Sequence, residues 1–394
     1  MSIHISQQFR HGSIALCILF CLLMLHANIG YTAFKDRKSI DHPSAKSTLK
    51  ARQTAWRSRT SPERFNHVKR FDRNPGSSPV SEAYNVSDCR WAEGFGSPGP
   101  DGPVYASTTF DDGTGTALYV GGLFETAGGI PALSIARWDG TTWSPLGAGI
   151  YGEVYTLAVF DDGSGPALYA GGFFIEAGGM PATHLAKWDG TTWTAVGGFV
   201  GIDSAVLALA VHDEDGTGPN TQALYVGGDF ITAGGVTVNG IARWDGTNWS
   251  ALGTGMSDMV LALTVFDADG AGPGQPALYA GGAFETAGGT SAYGIARWDG
   301  TAWSALGDGM DDWVESLAVY DDGTGDALYA GGFFTTAYDP GPTAVPAQAI
   351  ARWDGTSWST LGAGIDDEVI TMAVFDDGSG PALYAGGYFT TAGG

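Results

Sequence analysis

The main structural signal of this chain is the run Val154-Tyr-Thr-Leu-Ala-Val-Phe-Asp-Asp-Gly-Ser-Gly-Pro-Ala-Leu-Tyr-Ala-Gly-Gly-Phe-Phe174. Two segments of apolar and small residues flank an Asp- and Gly-rich turn, which predicts a hairpin of two buried strands. The Leu-Tyr-x-Gly-Gly part returns at intervals of 50 to 56 residues, with its Leu at Leu118, Leu168, Leu224, Leu278, Leu328 and Leu383. A period of that size indicates one supersecondary unit repeated along the chain.

Each complete unit continues with a second pair of strands. In the second unit these are His184-Leu-Ala-Lys-Trp188 and Thr192-Trp-Thr-Ala-Val196, joined by the turn Asp189-Gly190. Four short antiparallel strands at this period are typical of a β-propeller. The sequence therefore predicts an all-β fold, a β-propeller of about six four-stranded blades.

The repeats resemble the kelch repeat over residues 91–394. The resemblance is carried by Gly-Gly at the end of the second strand, by a Trp on the third strand and by a Trp five residues later, the pairs being Trp138/Trp143, Trp188/Trp193, Trp244/Trp249, Trp298/Trp303 and Trp353/Trp358. Kelch repeats have Gly-Gly, Tyr and Trp at similar separations. The resemblance implies a kelch-like propeller of the galactose oxidase type, a fold used mostly by interaction scaffolds and by a few enzymes.

Copper radical oxidases with this fold use a Cys cross-linked to Tyr and two His ligands. Between residues 91 and 394 the only histidines are His184 and His212, and this region contains no Cys. The sequence also contains no Ser-His-Asp set, zinc-ligand spacing or phosphate loop. We therefore expect no catalytic residues and a non-catalytic variant of the fold.

The two ends of the chain suggest how the ring closes. Arg90-Trp-Ala-Glu-Gly-Phe-Gly96 resembles the fourth-strand sequence Trp143-Ser-Pro-Leu-Gly147, whereas the sixth unit stops at Gly394 after two strands. An N-terminal fourth strand could join the last hairpin and close the ring. The closing blade would then lack its third strand, being either three-stranded or part of a truncated chain.

Charge and hydropathy divide the chain into three regions. Residues 1–33 contain the apolar run Ser13–Leu25 after Arg10 and resemble a bacterial-type signal peptide, so we expect a secreted or cell-surface protein without a membrane span beyond the signal. Residues 34–88 are basic and indicate a disordered linker or pro-segment. Residues 89–394 form the predicted propeller. From Trp91 onward there are 5 Lys and Arg against 36 Asp and Glu, which disfavours nucleic acid as a partner.

Binding residues are expected at one end of the blades. The loops between blades and between strands two and three vary among repeats, and variable loops on a rigid scaffold usually bind ligands. Acidic and large apolar side chains there, expected to be exposed, suit a protein or carbohydrate partner. Alternatively, the variation is drift and these side chains fill the central channel. The candidates are Tyr151, Glu153, Phe199, Asp203, Met256, Asp258, Met310, Asp311, Asp312, Trp313, Asp366, Asp367 and Glu368.

Two further hypotheses involve the acidic residues. The Asp-x-Asp-Gly sequences at Asp213/Asp215 and Asp267/Asp269 could hold calcium in a calcium-stabilised surface protein, although they also fit ordinary hairpin turns. The acids Asp311, Asp312, Asp366, Asp367 and Glu368 could serve a polysaccharide hydrolase or lyase. Otherwise we expect no cofactor.

The five basic residues after Trp91 occupy one repeat position: Arg137, Lys187, Arg243, Arg297 and Arg352. Such a ring of cations could bind an anion. Repetition in every blade favours structural ion pairs with the Asp-rich turns instead.

Overall fold

A computed structural model describes the backbone of residues 67–71 and residues 99–393, apart from positions 199, 215, 217–221, 271–274, 342, 377 and 379. The described residues form β-strands and no helix, so the prediction of an all-β chain is confirmed. No helix that could cross a membrane occurs in this part of the chain.

The strands follow the sequence repeat. Repeat 1 contains β2 (Val104–Asp111), β3 (Thr116–Gly122), β4 (Thr126–Ala127), β5 (Ile130–Pro131), β6 (Ile135–Trp138) and β7 (Trp143–Pro145), and the strand before it is β1 (His67–Phe71). Repeat 2 contains β8 (Ile150–Asp161), β9 (Pro166–Ala177), β10 (Met180–Pro181), β11 (Leu185–Trp188) and β12 (Trp193–Ala195). Repeat 3 contains β13 (Val206–His212), β14 (Ala223–Gly228), β15 (Thr232–Ala233), β16 (Val236–Thr237), β17 (Ile241–Trp244) and β18 (Trp249–Ala251).

The second half of the chain repeats this order. Repeat 4 contains β19 (Val260–Phe266), β20 (Ala277–Gly282), β21 (Thr286–Ala287), β22 (Thr290–Ser291), β23 (Ile295–Trp298) and β24 (Trp303–Ala305). Repeat 5 contains β25 (Gly309–Met310), β26 (Val314–Asp321), β27 (Asp326–Gly332), β28 (Thr336–Tyr338), β29 (Ala344–Pro346), β30 (Ile350–Trp353) and β31 (Trp358–Thr360). Repeat 6 contains β32 (Val369–Asp376) and β33 (Pro381–Gly387).

The main strands of each repeat form one antiparallel sheet. Sheets 1 to 5 have the orders β2-β3-β6-β7, β8-β9-β11-β12, β13-β14-β17-β18, β19-β20-β23-β24 and β26-β27-β30-β31. The first strands of successive sheets contact one another, whereas the fourth strands do not approach each other in this way. First strands therefore lie innermost, as in the blades of a β-propeller.

Sheet 6 has the order β32-β33-β1, and β1 occupies the third position. Arg70 of β1 is opposite Tyr384, as Arg352 is opposite Tyr329 in sheet 5. The expectation that the closing blade lacks its third strand is therefore wrong. That strand lies within the segment 34–88, so the expectation of a linker without regular structure does not hold for His67–Phe71. The fourth strand expected at Arg90–Gly96 lies outside the described residues.

The repeated Gly-Gly pair allows close packing in two directions. A Cβ on Gly281 would lie 2.7 Å from Cγ1 of Val314, on the first strand of the next sheet. A Cβ on Gly282 would overlap the carbonyl oxygen of Met259, which precedes the first strand of its own sheet. A side chain at either position would separate strands that are in contact, which explains why the pair returns in each repeat.

The core consists of apolar layers between successive sheets. One layer joins Tyr119 and Ile135 of sheet 1 to Leu168, Trp188 and Trp193 of sheet 2, and corresponding layers follow between the later sheets. The Trp pairs of sheets 2 to 5 thus belong to the packing between sheets, whereas Trp138 and Trp143 pack within sheet 1.

The two ends of the sheets have different connections. The turns after the first and third strands lie together at the turn face, where a Cβ on Gly190 of sheet 2 would approach the carbonyl oxygen of Asp112 of sheet 1 to 3.1 Å. The connections between strands two and three, and between sheets, lie at the opposite end, which we call the loop face.

Candidate functional site

On the turn face the repeated cations form ion pairs with the Asp-rich turns. The described pairs are Arg137–Asp112 (3.5 Å), Lys187–Asp162 (2.6 Å), Arg243–Glu214 (3.9 Å) and Arg352–Asp322 (3.2 Å). The three Asp residues also accept a hydrogen bond from a buried tyrosine of the second strand, as Asp112 does from Tyr119 at 2.7 Å. The structural interpretation of these cations is therefore confirmed at four of the five positions.

Lys187 illustrates the electrostatic consequence of these contacts. Burial of Asp162 opposes ionisation, but hydrogen bonds from Lys187, Ser164 and Tyr169 outweigh it and lower the pKa of Asp162 to about 2. The same carboxylate, together with burial, raises the pKa of Tyr169. The network is thus charged throughout the physiological pH range.

On the loop face, three of the candidate binding residues act as backbone caps. Asp311 Oδ1 accepts hydrogen bonds from the backbone N–H groups of Thr335 (2.8 Å) and Thr336 (3.0 Å). Asp203 and Asp366 make the same contacts in sheets 3 and 6. Each carboxylate thereby fixes the connection between strands two and three of the sheet that follows it.

The apolar candidates divide into buried and exposed side chains. Met256 and Met310 are buried at 6% and 3% exposure, so the expectation that they are exposed is wrong. They pack in the layers between sheets, where Ile150 and Ile365 stand in other repeats. Tyr151 is 64% exposed on the loop face. Phe199 lies outside the described residues.

Three further candidate acids, Asp258, Asp312 and Asp367, stand next to the start of a first strand. Each accepts a hydrogen bond from the backbone N–H of the next residue, at 2.7 to 3.0 Å. This contact orients the chain as it enters the innermost strand. It fixes the backbone of the residues that follow, Met259, Trp313 and Glu368, immediately before their first strands.

The inner side of the first strands has side chains that differ among otherwise similar repeats. One position in all six first strands is valine. Five of these side chains pack between two sheets, and Val104 packs within sheet 1; they are Val104, Val154, Val206, Val260, Val314 and Val369. The next residue, in contrast, is Tyr105, Tyr155, Leu207, Leu261, Glu315 and Ile370. Four of these, from four sheets, form one apolar cluster together with Ala205: Tyr105, Tyr155, Leu207 and Leu261. Since four sheets meet there, this position faces the axis.

The first strand of sheet 5 and the segment leading into sheet 6 bring together a pair of carboxyl groups. The side chains of Glu315 and Glu368 share a hydrogen bond. Burial, the charge of Glu368 and the charge of Asp312 raise the pKa of Glu315 well above its ordinary value. Tyr388 lies beside the pair, and burial together with Glu368, Glu315 and Asp367 raises its pKa. Asp312, Asp367 and Glu368 are thus brought together, whereas Asp311 and Asp366 cap loops.

The remaining acidic candidate, Glu153, lies beside the tyrosines of sheets 1 and 2. Glu153 accepts a hydrogen bond from the hydroxyl of Tyr155 at 3.1 Å, and its charge, with burial, raises the pKa of Tyr105. The rings of Tyr105 and Tyr155 lie 5.6 Å apart. Both rings are buried, so this cluster fills the space between the first strands, with the carboxylate of Glu153 beside it.

Sequence reasoning missed Glu315 and Tyr388. Glu315 lies within a strand, whereas the variation among repeats predicts binding residues in loops. The detectable signal was a comparison of the six first strands, because a charged residue at a position otherwise occupied by Tyr, Leu or Ile marks that position as unusual.

The proposed calcium residues show no shared ligand geometry in the described structure. Asp213 accepts a hydrogen bond from the N–H of Gly216 (3.1 Å), and Asp267 accepts one from the N–H of Asp269 (3.3 Å). Asp215 lies outside the described residues. Within the described ranges, no three His, Cys, Asp or Glu side chains converge to hold a metal ion.

Comparisons with known proteins assign no family. No family model matches the sequence, and no curated protein matches it. Similar solved structures include the GH74 enzyme of Niastella koreensis (18% identity, TM-score 0.39, 66% of this chain) and the extracellular domain of a hybrid two-component system of B. thetaiotaomicron (11% identity, TM-score 0.38, 73% of this chain). The chain spans 37% of the length of each. Likeness at this level carries no argument about function.

Proposed function

We propose that the chain is an exported, kelch-like β-propeller of six blades, with sheet 6 completed by β1, that acts as a scaffold for binding a protein or a carbohydrate. In this proposal residues 1–33 are a signal peptide and the protein works outside the cell or at its surface. The ligand binds on the loop face at the mouth of the central channel.

One observation carries the proposal: at one position of the first strands, side chains that differ among the repeats lie close together. The turn face repeats its ion pairs and the loop connections repeat their Asp caps, so both serve the fold. The axial position instead changes from tyrosine and leucine in four sheets to Glu315 in the fifth. The stability of the fold does not require these residues to be the same in every repeat. They are therefore free to recognise a ligand.

The side chains around this site indicate which chemical groups the ligand presents. Glu315, Glu368 and Glu153 accept hydrogen bonds, and therefore suit hydroxyl groups or a basic side chain. Tyr105 and Tyr155 are buried in a cluster with Leu207, so the exposed aromatic ring on this face is that of Tyr151, which suits the apolar face of a sugar ring or an aliphatic chain. A glycan or a basic peptide segment presents both properties.

A glycan array and a basic-peptide array probed with the full chain test this function. We expect binding that falls at least tenfold in E315Q and E368Q. The control is E285Q, because Glu285 is an exposed acid on the same face whose side chain makes no described hydrogen bond to the channel. Equal binding by all four proteins, or no binding on either array, contradicts the proposal.

A second candidate function, polysaccharide hydrolase or lyase, is favoured by the carboxyl pair. Because the pKa of Glu315 is raised beside Glu368, one member can carry a proton while the other is ionised, as acid–base catalysis requires. Release of reducing ends or unsaturated sugars from a polysaccharide panel would support it, provided that E315Q and E368Q abolish the release. Binding without turnover would leave the scaffold function alone.

A further inference from the structure

Among the described residues, the repeated ion-pair network of the turn face is interrupted at sheet 4. The second residue after the first-strand aromatic or histidine is acidic in sheets 1, 2, 3 and 5, namely Asp112, Asp162, Glu214 and Asp322. In sheet 4 this residue is Ala268. The acid is thus replaced by a methyl group, while the residues that surround it in the other sheets are retained.

The contacts of the acid in the other repeats show which interactions sheet 4 lacks. Asp322 pairs with Arg352 (3.2 Å) and accepts a hydrogen bond from the hydroxyl of Tyr329 (3.1 Å). Glu214 additionally accepts a hydrogen bond from the indole N–H of Trp298 in the next sheet, at 2.8 Å. Asp322 thus has a cation and a phenol beside it, and the longer Glu214 has a cation and an indole N–H, whereas the indole N–H groups of Trp188 and Trp244 have no hydrogen-bond partner among the described residues.

Sheet 4 keeps these three donors without the acceptor. Arg297, Tyr279 and Trp353 are the repeat equivalents of Arg352, Tyr329 and Trp298. Within the described ranges, Arg297 forms none of the ion pairs within 4.0 Å that its four equivalents form. Its guanidinium instead contacts the hydroxyl of Tyr279.

The missing acid leaves a cavity of about 350 Å³ at this position. Ala268, Tyr279, Arg297 and Trp353 line it, together with the apolar side chains of Phe266 and Leu306. Cavities that hold small organic ligands begin at about this volume. The space therefore exceeds what the absent side chain would fill, and its apolar wall can contact the body of a ligand.

Arg297 determines the charge of the ligand. The guanidinium group is always protonated and presents parallel N–H donors that match a carboxylate. Asp267 and Asp269 also line the cavity, so a ligand with more than one negative charge would be repelled. These features favour a single carboxylate attached to a small, largely apolar body.

We propose that this cavity binds a small organic monocarboxylate, whose carboxylate group takes the place of the repeat's acidic side chain between Arg297, Tyr279 and Trp353. The site lies on the turn face, at the opposite end of the sheets from the proposed protein or carbohydrate site. It is independent of that function.

Titration of the full chain with acetate, benzoate and the neutral analogue benzamide, followed by tryptophan fluorescence and calorimetry, tests the proposal. We expect saturable binding of both carboxylates, tighter for benzoate because its ring contacts the apolar wall, and at least tenfold weaker binding of benzamide. If neither carboxylate binds saturably, the proposal is overturned.

Two variants locate the binding. A268D restores the acid of the other repeats and should reduce benzoate affinity at least tenfold while melting at or above the wild-type temperature, which shows that the variant is folded. R297Q should reduce it similarly. The matched control is R352Q, which removes the same residue from a sheet whose acid is present and should leave benzoate affinity unchanged. Benzoate binding that survives A268D, or that R352Q weakens as much as R297Q, would refute the assignment.

Discussion

Replacing Asp311 with alanine separates a structural role from a binding role for the acids of the loop face. The substitution removes three hydrogen bonds, from the N–H groups of Thr335 (2.8 Å) and Thr336 (3.0 Å) and from the hydroxyl of Thr335 (2.6 Å). The donors lie at the start of β28, on Thr336 and on Thr335 just before it. The loss of these bonds leaves the connection between strands two and three without its anchor to the chain entering sheet 5.

The magnitude follows from the exposure of these contacts. A hydrogen bond to a charged acceptor contributes roughly 1.5 to 3 kcal/mol when it is buried, and the loss of a helix cap of similar geometry costs about 1 kcal/mol. Because the Asp311 contacts are exposed, water replaces part of the lost bonding, and we expect about 2 kcal/mol for D311A. For a domain of this size that corresponds to a fall in the melting temperature of roughly 4 °C.

The assay is thermal melting of the full chain at neutral pH, with two comparison variants. D311N keeps an amide oxygen as acceptor and should lose about half as much stability. Ser257 holds the equivalent place in sheet 4, where its hydroxyl accepts the N–H groups of Glu285 (2.9 Å) and Thr286 (3.0 Å). S257A should therefore destabilise less than D311A, and S257D should stabilise.

The result that would refute this reasoning is a D311A protein that melts within about 0.5 °C of the wild type. If the same variant lost ligand binding on the arrays, Asp311 would be a binding residue and not a cap. A melting-temperature fall with unchanged ligand binding supports the structural role.

The remaining predictions concern sheet packing, pH and ring closure. G281A should lower the free energy of unfolding by about 2 kcal/mol in denaturant titrations, because the added methyl group would lie 2.7 Å from Val314. The double variant G281A/V314A should lose less stability than the sum of the losses in the two single variants. The pKa of Glu315 is raised, so the folded state binds the proton of this carboxyl group more tightly than the unfolded state does. The contribution of Glu315 to stability therefore falls as the pH rises from the ordinary pKa of a glutamate through the raised pKa. E315Q should therefore increase the melting temperature at neutral pH and leave it nearly unchanged at low pH; a constant difference across the pH range would contradict this. A chain that starts at residue 72 should show faster amide exchange in Leu383–Gly387 than one that starts at residue 60, because it lacks the strand that pairs with β33; equal exchange in both would show that β1 does not stabilise sheet 6.

Much of the candidate site could not be predicted from the sequence because its residues are neighbours only across sheets. Glu315 and Glu368 belong to different repeats, and their carboxyl groups meet because the first strands of sheets 5 and 6 lie side by side. Met256 and Met310 stand in segments that the sequence pattern indicates as loops, but they fill core positions where other repeats have isoleucine. Comparing repeats position by position would have identified them as core.

The third strand of sheet 6 was detectable in principle. Val68-Lys-Arg-Phe-Asp72 matches the pattern Ile350-Ala-Arg-Trp-Asp354, with the arginine in the same place. The match was obscured because the segment is basic, lies far from the last hairpin in sequence and has no partner strand nearby. Pairing over such a separation is a property of the folded chain, since only the arrangement of the other sheets brings β33 to β1.

What the sequence determined by itself was the local unit: four antiparallel strands, their turns, the glycine pairs and the ion pair on the turn face. These features recur with the same residue types, and each depends on contacts within one unit or with the next. What only the tertiary structure decided was which side chains meet at the axis and which cation lacks its acid. Those properties depend on how the sheets are placed around the channel and on how each sheet differs from its neighbours, so the interruption at Ala268 gains its meaning only beside Arg297, Tyr279 and Trp353.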